Sequence, residues 1–143
     1  MNTQTTTTSK RVYLLITCLC LSFLLSQCFL TQDSTTVVYG IITNQNGQPV
    51  DSILVTIKGV DGFKYERLKE VYSGEDGSYE LVVDVPRKYG SANVVVPFGS
   101  YDNPKYERNY KGKKTSKNDQ FTNNCCKASI GDKTKYDFQL IPR

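Results

Sequence analysis

Apolar and polar residues alternate with a period of two in three stretches of the chain. These stretches cover residues 37–43, 53–58 and 79–85, and β-branched residues are frequent in them. Successive side chains of a strand point to opposite faces of a sheet, so this period predicts half-buried β-strands. Residues 61–73 alternate less regularly and carry mixed charges, which is typical of an edge strand. A fifth strand is expected over residues 92–96, and we expect an all-β fold without a helix of useful amphipathic length.

Two Gly-bearing turns punctuate these strands. Residues 44–49 (NQNGQP) contain Asn and Gly, which accept a left-handed backbone, and Pro, which cannot donate to a central ladder. Residues 75–78 (EDGS) contain Asp-Gly, a strong hairpin-turn signal. The pattern therefore predicts two hairpin-like units within residues 39–86.

The order and spacing of these elements resemble the carboxypeptidase regulatory-like domain, a small transthyretin-like β-sandwich. That family has a strand with a central Gly, an N-x-G-x-P turn, a β-branched strand, and a later acidic D-G-x-aromatic element before a strand that ends in Val-Pro. Gly40 and residues 46–50, 55–57 and 73–79 match this pattern, and residues 136–140 resemble the family's last strand. The resemblance implies a single seven-stranded sandwich. It implies no particular activity, because such domains serve as non-catalytic modules in many settings.

The N-terminal segment has the character of an export signal. Lys10 and Arg11 precede a mostly apolar stretch over residues 12–25, as in secretory signal peptides. The following Ser26-Gln27-Cys28 resembles the end of a bacterial lipobox, whose Cys becomes the lipidated first residue after cleavage. Gln27 departs from the small residue that normally precedes this Cys. The alternatives are an uncleaved anchor helix over residues 12–30 and plain secretion.

Lipidation at Cys28 would place the protein at the bacterial envelope. A diacylglycerol thioether together with an amide-linked acyl chain meets the requirement that stable anchoring takes more than one chain. Phe29, where enteric bacteria use Asp for inner-membrane retention, favours the outer membrane, with the domain facing the periplasm or the cell surface. Asp33-Ser34-Thr35 resembles a Bacteroidetes O-glycosylation motif, which makes Ser34 a candidate modification site. We expect a signal peptide at residues 1–27, a lipidated tether at residues 28–36 and the sandwich at residues 37–143.

Residues 105–117 form the one charge-biased segment of a chain whose formal net charge is +4. This segment is interpreted either as a loop that binds an anion or a partner, or as a solvated Lys-rich loop. Lys outnumbers Arg in it, and Arg is the residue suited to bidentate phosphate contacts, so nucleic acid is not an expected partner. Its six basic residues, set against a single acid, are Lys105, Arg108, Lys111, Lys113, Lys114 and Lys117.

The chain contains five cysteines and no histidine. The absence of His removes Ser-His-Asp, Cys-His and His-based zinc chemistry, and no Gly-rich phosphate loop opens a helix. We therefore expect no enzyme, no cofactor and no metal. Cys125 and Cys126 are adjacent, and two unpaired thiols, a vicinal disulfide and an intermolecular bridge all remain open for them.

These patterns favour a non-catalytic, membrane-anchored β-sandwich that binds or scaffolds a protein or glycan partner at the cell envelope. One alternative is a carbohydrate-binding accessory protein, which the lack of Trp weakens. The other is a structural lipoprotein subunit of an envelope or secretion complex. The carbohydrate alternative would take its stacking faces from Tyr89, Tyr101, Tyr106 and Tyr110.

Overall fold

A computed structural model describes residues 34–99, 101–123 and 125–143 of the chain. The predicted signal peptide and the candidate lipidation site Cys28 lie outside these residues. In the part of the chain that is described, no helix is long and apolar enough to cross a membrane. Its elements are β1 (Thr35–Thr43), β2 (Leu54–Asp61), β3 (Lys64–Tyr72), β4 (Ser78–Asp84), β5 (Ser91–Val95), α1 (Pro104–Asn109), β6 (Tyr110–Lys117), β7 (Gln120–Phe121), β8 (Lys127–Ala128) and β9 (Lys133–Pro142).

The strands form two sheets that share one hydrophobic core. A five-stranded sheet has the order β4-β1-β9-β6-β7, and a four-stranded sheet has the order β3-β2-β5-β8. β1 and β9 run parallel, whereas the other neighbours are antiparallel. Val38 and Phe138 of the first sheet and Val55 and Val94 of the second belong to the same buried cluster. The predicted all-β, sandwich-like character is confirmed.

The prediction of seven strands is wrong, because two short strands lie between β6 and β9. β7 and β8 have two residues each, whereas the other strands have between five and ten. β7 follows a tight turn at Asn118 and Asp119, which have φ angles of 47° and 65°. Positive φ at both central residues is typical of a type I′ hairpin. Asn118 also extends the β6–β9 ladder, since its Oδ1 accepts a hydrogen bond from the backbone N of Lys135 at 3.1 Å.

Both predicted turns form, but the expectation that they close hairpins is wrong. The turn at residues 44–49 connects β1 of one sheet to β2 of the other, and the turn at residues 74–77 connects β3 back to β4. The hairpin within this region joins β2 to β3 around Gly62, whose φ is 57°. A turn sequence specifies a bend. The pairing of the strands that it joins depends on which apolar faces the core buries.

The two sheet-switching turns pack against each other at one end of the sandwich. The backbone N of Ile42 donates to the carbonyl oxygen of Gly77 at 2.8 Å. Gly77 has a φ of 73°, and a Cβ at this position would lie 3.1 Å from the Cβ of Pro49. Buried Ser73 supports the same contact, since its hydroxyl donates to the Val50 carbonyl at 2.8 Å and accepts from the Ile53 backbone N at 3.0 Å.

The central Gly40 of β1 lies where the β1–β9 ladder is interrupted. Ladder pairing holds at Tyr39 and resumes at Ile42. Between them, the Tyr79 hydroxyl donates to the carbonyl oxygen of Tyr136 at 2.7 Å, in a buried position. A Cβ on Gly40 would overlap that oxygen and lie 2.6 Å from the carbonyl carbon. Gly40 therefore allows a tyrosine of β4 to cross β1 and bond β9.

Asn103 joins the start of α1 to β2 at the point where β5 ends. Its side chain is fully buried. Oδ1 accepts from the Leu54 backbone N at 3.1 Å, and Nδ2 donates to the Pro97 carbonyl at 3.1 Å. Because Pro has no backbone N–H, Pro97 cannot donate to the Leu54 carbonyl as a ladder residue would. That carbonyl accepts from Asn103 Nδ2 at 3.4 Å instead.

Two strand predictions hold in detail. β3 is an edge strand with mixed charges, as expected. The side-chain amine of Lys69 in β3 donates to the Val82 carbonyl of β4 at 2.8 Å, which ties the two sheet edges together. The predicted fifth strand is β5. At the N-terminal side, β1 begins at Thr35, two residues before the expected start of the domain, and Thr36 is already buried.

Candidate functional site

The prediction that residues 105–117 form a loop is wrong. These residues belong to α1, which spans Pro104–Asn109, and to β6, which spans Tyr110–Lys117. Pro at the first turn suits a helix start because its φ is already helical. A six-residue helix is too short to show a helical period in the sequence, and β6 owes its regularity to its pairing with β9. The run of charged residues therefore suggested a loop where the chain forms α1 and β6.

The basic residues of α1 contact neighbours within the fold. The amine of Lys105 lies 2.5 Å from Oδ1 of Asp51. The hydrogen bond from Lys105 lowers the pKa of Asp51 to about 2. Arg108 donates from Nε to the Pro104 carbonyl at 3.3 Å, and Lys111, just beyond the helix, is exposed. Lys105 is thus a structural cation.

The lysines of β6 divide between the two faces of the sheet. Residues that are directly opposite in a ladder share a face. Lys113 pairs with buried Leu140 and therefore lies on the core side, whereas Lys114 pairs with Gln139 and points outward. Lys117 is also on the core side, where its amine donates to the Lys127 carbonyl at 3.3 Å. The six predicted basic residues consequently do not form a single patch.

A cleft of about 520 Å³ lies between β5 and β6, and we call it the β5–β6 cleft. Three separate parts of the chain contribute to its walls, namely β5, β6 and the segment from β7 to β8. Its lining includes the apolar groups of Val94 and Phe121 and the ammonium of Lys113. The lining also includes Asn93, Asn123 and the cysteine pair.

Two lysines, Lys114 and Lys113, belong to the lining of the β5–β6 cleft, and the half-buried one is Lys113. Its side chain is half-buried, and its amine donates to the Val96 carbonyl at 3.4 Å. None of the ion pairs found among the described residues involves Lys113. Burial lowers the pKa of its ammonium, because loss of water disfavours the charged form. The cleft therefore contains a partly desolvated cation without a carboxylate counter-ion in the described structure.

Cys125 and Cys126 lie at the edge of this cleft. Cys126 is buried and Cys125 is exposed. Their sulfur atoms are in direct contact, which is the arrangement of a vicinal disulfide. The Val94 backbone N donates to the Cys126 carbonyl at 2.9 Å, so the pair also extends the β5–β8 ladder. Within the described residues, no group of three His, Cys, Asp or Glu side chains is placed to hold a metal ion.

Most of the tyrosines proposed as stacking faces pack inside the protein. Tyr89 and Tyr106 are buried, and the ring of Tyr110 stacks on Tyr106 at a centroid distance of 6.1 Å. Tyr89 covers Gly59, where a Cβ would lie 2.6 Å from its ring. The expectation of four exposed platforms is therefore wrong, and Tyr101 is the member of the set that is fully exposed.

Ser34 is the first described residue and lies beside the end of β4. It is partly exposed, and its carbonyl oxygen accepts from the Val85 backbone N at 3.1 Å. Its glycosylation stays a prediction.

The pattern of the chain did not predict that Phe121, Asn93 and Asn123 line a cleft. Each lies in a different segment, and none belongs to a motif that indicates binding. The signal that was present is Phe121 itself, an isolated apolar residue in a polar stretch. It becomes meaningful once the β6–β7 hairpin places it, 63% exposed, among the residues that line the cleft.

No protein-family model matches the chain, and no curated protein sequence matches it. The resemblance to the carboxypeptidase regulatory-like domain therefore rests on the motif residues alone.

Proposed function

We propose that the chain is a lipoprotein of the bacterial envelope whose β-sandwich is a non-catalytic binding module. In this proposal the β5–β6 cleft receives an anionic group of a small ligand or of a protein or glycan partner. The half-buried ammonium of Lys113 is the observation that carries it. An anion in the cleft would neutralise the Lys113 ammonium, which burial has partly desolvated.

The chemistry of the cleft suits an anion attached to an apolar body. A Lys ammonium has three N–H donors, and the Val96 carbonyl accepts from Lys113 at 3.4 Å. Asn93 and Asn123 bring further polar groups, while Phe121 and Val94 provide apolar surface. A concave site with few polar groups on an apolar lining is typical of small-ligand binding.

The transthyretin-like, carboxypeptidase regulatory-like fold is part of the same proposal. Its support is that the motif residues have linked structural roles. Gly40 permits the Tyr79–Tyr136 bond, and the two turn motifs contact each other through Gly77 and Ile42. In this proposal such a fold acts by binding.

The anchor is tested by lipid labelling. Cells that express the chain are supplied with labelled palmitate, and the wild type is compared with Cys28→Ala. We expect label on the wild type and on the matched control Cys20→Ala, and none on Cys28→Ala. Equal labelling of the wild type and Cys28→Ala would remove lipidation, and with it the outer-membrane location, from the proposal.

The cleft is tested by NMR titration with acetate, inorganic phosphate and galacturonate. We expect saturable shifts of the Lys113 amide and its cleft neighbours with at least one probe. Lys113→Gln should abolish these shifts, whereas Lys111→Gln, a matched exposed control outside the cleft, should retain them. A response to galacturonate alone would favour the carbohydrate-binding alternative. Shifts that are absent, or that survive Lys113→Gln, would contradict the cleft as the binding site.

A further inference from the structure

The tip of the β2–β3 hairpin carries a fully exposed apolar ring. Phe63 is 101% exposed, and Tyr65 beside it is 62% exposed. Gly62, with a φ of 57°, forms the tight turn that projects the ring. An apolar side chain held entirely in water gains free energy wherever a neighbouring apolar phase can take it out of water.

This hairpin lies at the end of the sandwich where the chain enters β1. Ser34 precedes β1, and its carbonyl oxygen accepts from Val85 at 3.1 Å, just after β4 ends. The loop that follows β4 reaches the end of β2, where the Gly90 backbone N donates to the Val60 carbonyl at 3.0 Å. Val60 pairs with Tyr65 at the base of the hairpin. The entry point of the chain and the ring of Phe63 therefore share one end.

Covalent geometry limits how far this end can lie from an anchor at Cys28. Residues 28–34 span at most about 20 Å when fully extended, at roughly 3.5 Å per residue. With Cys28 held in the membrane, as proposed above, this length keeps the start of β1 within about 20 Å of the anchored residue.

The charges around the tip are mixed. The amine of Lys88 lies 2.9 Å from a carboxylate oxygen of Glu66, so that pair is largely neutralised. The other charged residues near the tip are exposed and of both signs, namely Asp61, Lys64, Asp84 and Arg87. Attraction to an anionic surface is therefore weak, and the apolar ring is the feature that distinguishes this end.

We infer that the hairpin tip docks on the lipid bilayer that carries the anchor, with Phe63 inserted at the level of the headgroups. This inference rests on the proposed lipoprotein function. A Phe ring is removed from water at the boundary between headgroups and acyl chains, and Tyr, present here as Tyr65, favours the membrane–water interface. The contact would hold this end of the sandwich on the membrane. The β5–β6 cleft and the turns at the opposite end would then face along the membrane or away from it.

The absence of Trp from the chain allows a single fluorescent reporter. In Phe63→Trp the indole replaces the tip ring at a position where folding is not at risk. The matched control is Tyr101→Trp, because Tyr101 is equally exposed, at 102%. It lies near Asn103, which bonds Leu54 at the other end of β2. The eight residues of β2 separate the two ends by roughly 23 Å at about 3.3 Å per residue.

The full-length variants are reconstituted into phosphatidylethanolamine–phosphatidylglycerol vesicles, with and without bromine on the acyl chains. Flotation reports whether the anchor binds the vesicle, and quenching reports whether the hairpin tip contacts the lipid. We expect both variants to float, the Phe63→Trp emission to shift to the blue and to be strongly quenched by brominated lipid, and the Tyr101→Trp emission to stay unquenched. Floating protein with equal or absent quenching in the two variants would overturn the docking inference alone. Protein that does not float would overturn both the anchor and the docking.

Discussion

Replacing Gly40 by Ala perturbs the closest approach between β1 and β9. The added Cβ would overlap the carbonyl oxygen of Tyr136 and lie 2.6 Å from its carbonyl carbon. Both groups are backbone, so neither moves unless the two strands separate. Separation would also break the 2.7 Å hydrogen bond from the Tyr79 hydroxyl, which lies in a buried position.

The expected cost follows from these two effects. Steric overpacking in a core costs about 1–3 kcal/mol, and a buried carbonyl that loses its donor costs about 1–3 kcal/mol more. Gly40→Ala should therefore lower the free energy of unfolding by about 2–6 kcal/mol, a large part of the ~5–15 kcal/mol of a typical domain. Tyr79→Phe, which removes the hydroxyl alone, should cost about 1–3 kcal/mol.

Urea unfolding of the full-length chain, followed by tyrosine fluorescence and circular dichroism, measures these changes. The matched control is Gly112→Ala in β6, where the new Cβ would meet its nearest neighbour, Ile141, at 3.8 Å and should be tolerated. The double variant Gly40→Ala/Tyr79→Phe should cost less than the sum of the single variants, because both lose the same hydrogen bond. If Gly40→Ala unfolds at the same urea concentration as Gly112→Ala, the account of the β1–β9 approach is incorrect.

Three further predictions concern other contacts. Ser73→Ala removes two buried hydrogen bonds and should lower the free energy of unfolding by about 1–3 kcal/mol in the same assay. Asn103→Ala should lower it at least as much, because the Asn103 amide bonds both Leu54 and Pro97. Urea midpoints equal to that of the wild type would contradict these roles. Lys113→Met should raise the urea midpoint, since it removes a partly desolvated cation, and a lowered midpoint would show that the charge is compensated. The pKa of Asp51, about 2 beside Lys105, lies below the ordinary value of about 3.9. The Asp51–Lys105 pair therefore stabilises the fold above about pH 4, and this contribution is lost as the pH falls toward 2. In an NMR titration, Lys105→Met should raise the pKa of Asp51. An unchanged pKa would exclude Lys105 as the cause.

The pattern of the chain was sufficient for the properties that depend on neighbouring residues. Period-two alternation located β1, β2 and β4, a fifth strand was expected where β5 lies, and mixed charges identified β3 as an edge. Asn-Gly and Asp-Gly located two bends, because left-handed backbone conformations are a local preference of those residues. The short β7 and β8 escaped detection, since a two-residue strand has no period to recognise.

The candidate site shows what local pattern leaves undetermined. Lys113 and Lys114 are chemically identical neighbours, yet Lys113 lies half-buried on the core side and Lys114 is exposed and points outward. This difference arises from the register of β6 against β9, and register is set by which side chains of both strands the core buries. Phe121 and Asn93 reach the same cleft from segments that are distant in sequence.

Half-buried strands, tight Gly-bearing bends and an apolar N-terminal segment are all evident from the order of residues along the chain. The folded arrangement was needed to find that the two predicted bends switch sheets, that Gly40 admits the Tyr79–Tyr136 bond, and that the basic residues are dispersed. This division follows from the range of the forces involved. Turn and strand preferences act over a few residues, whereas strand partners and side-chain burial depend on how the whole chain removes its apolar surface from water.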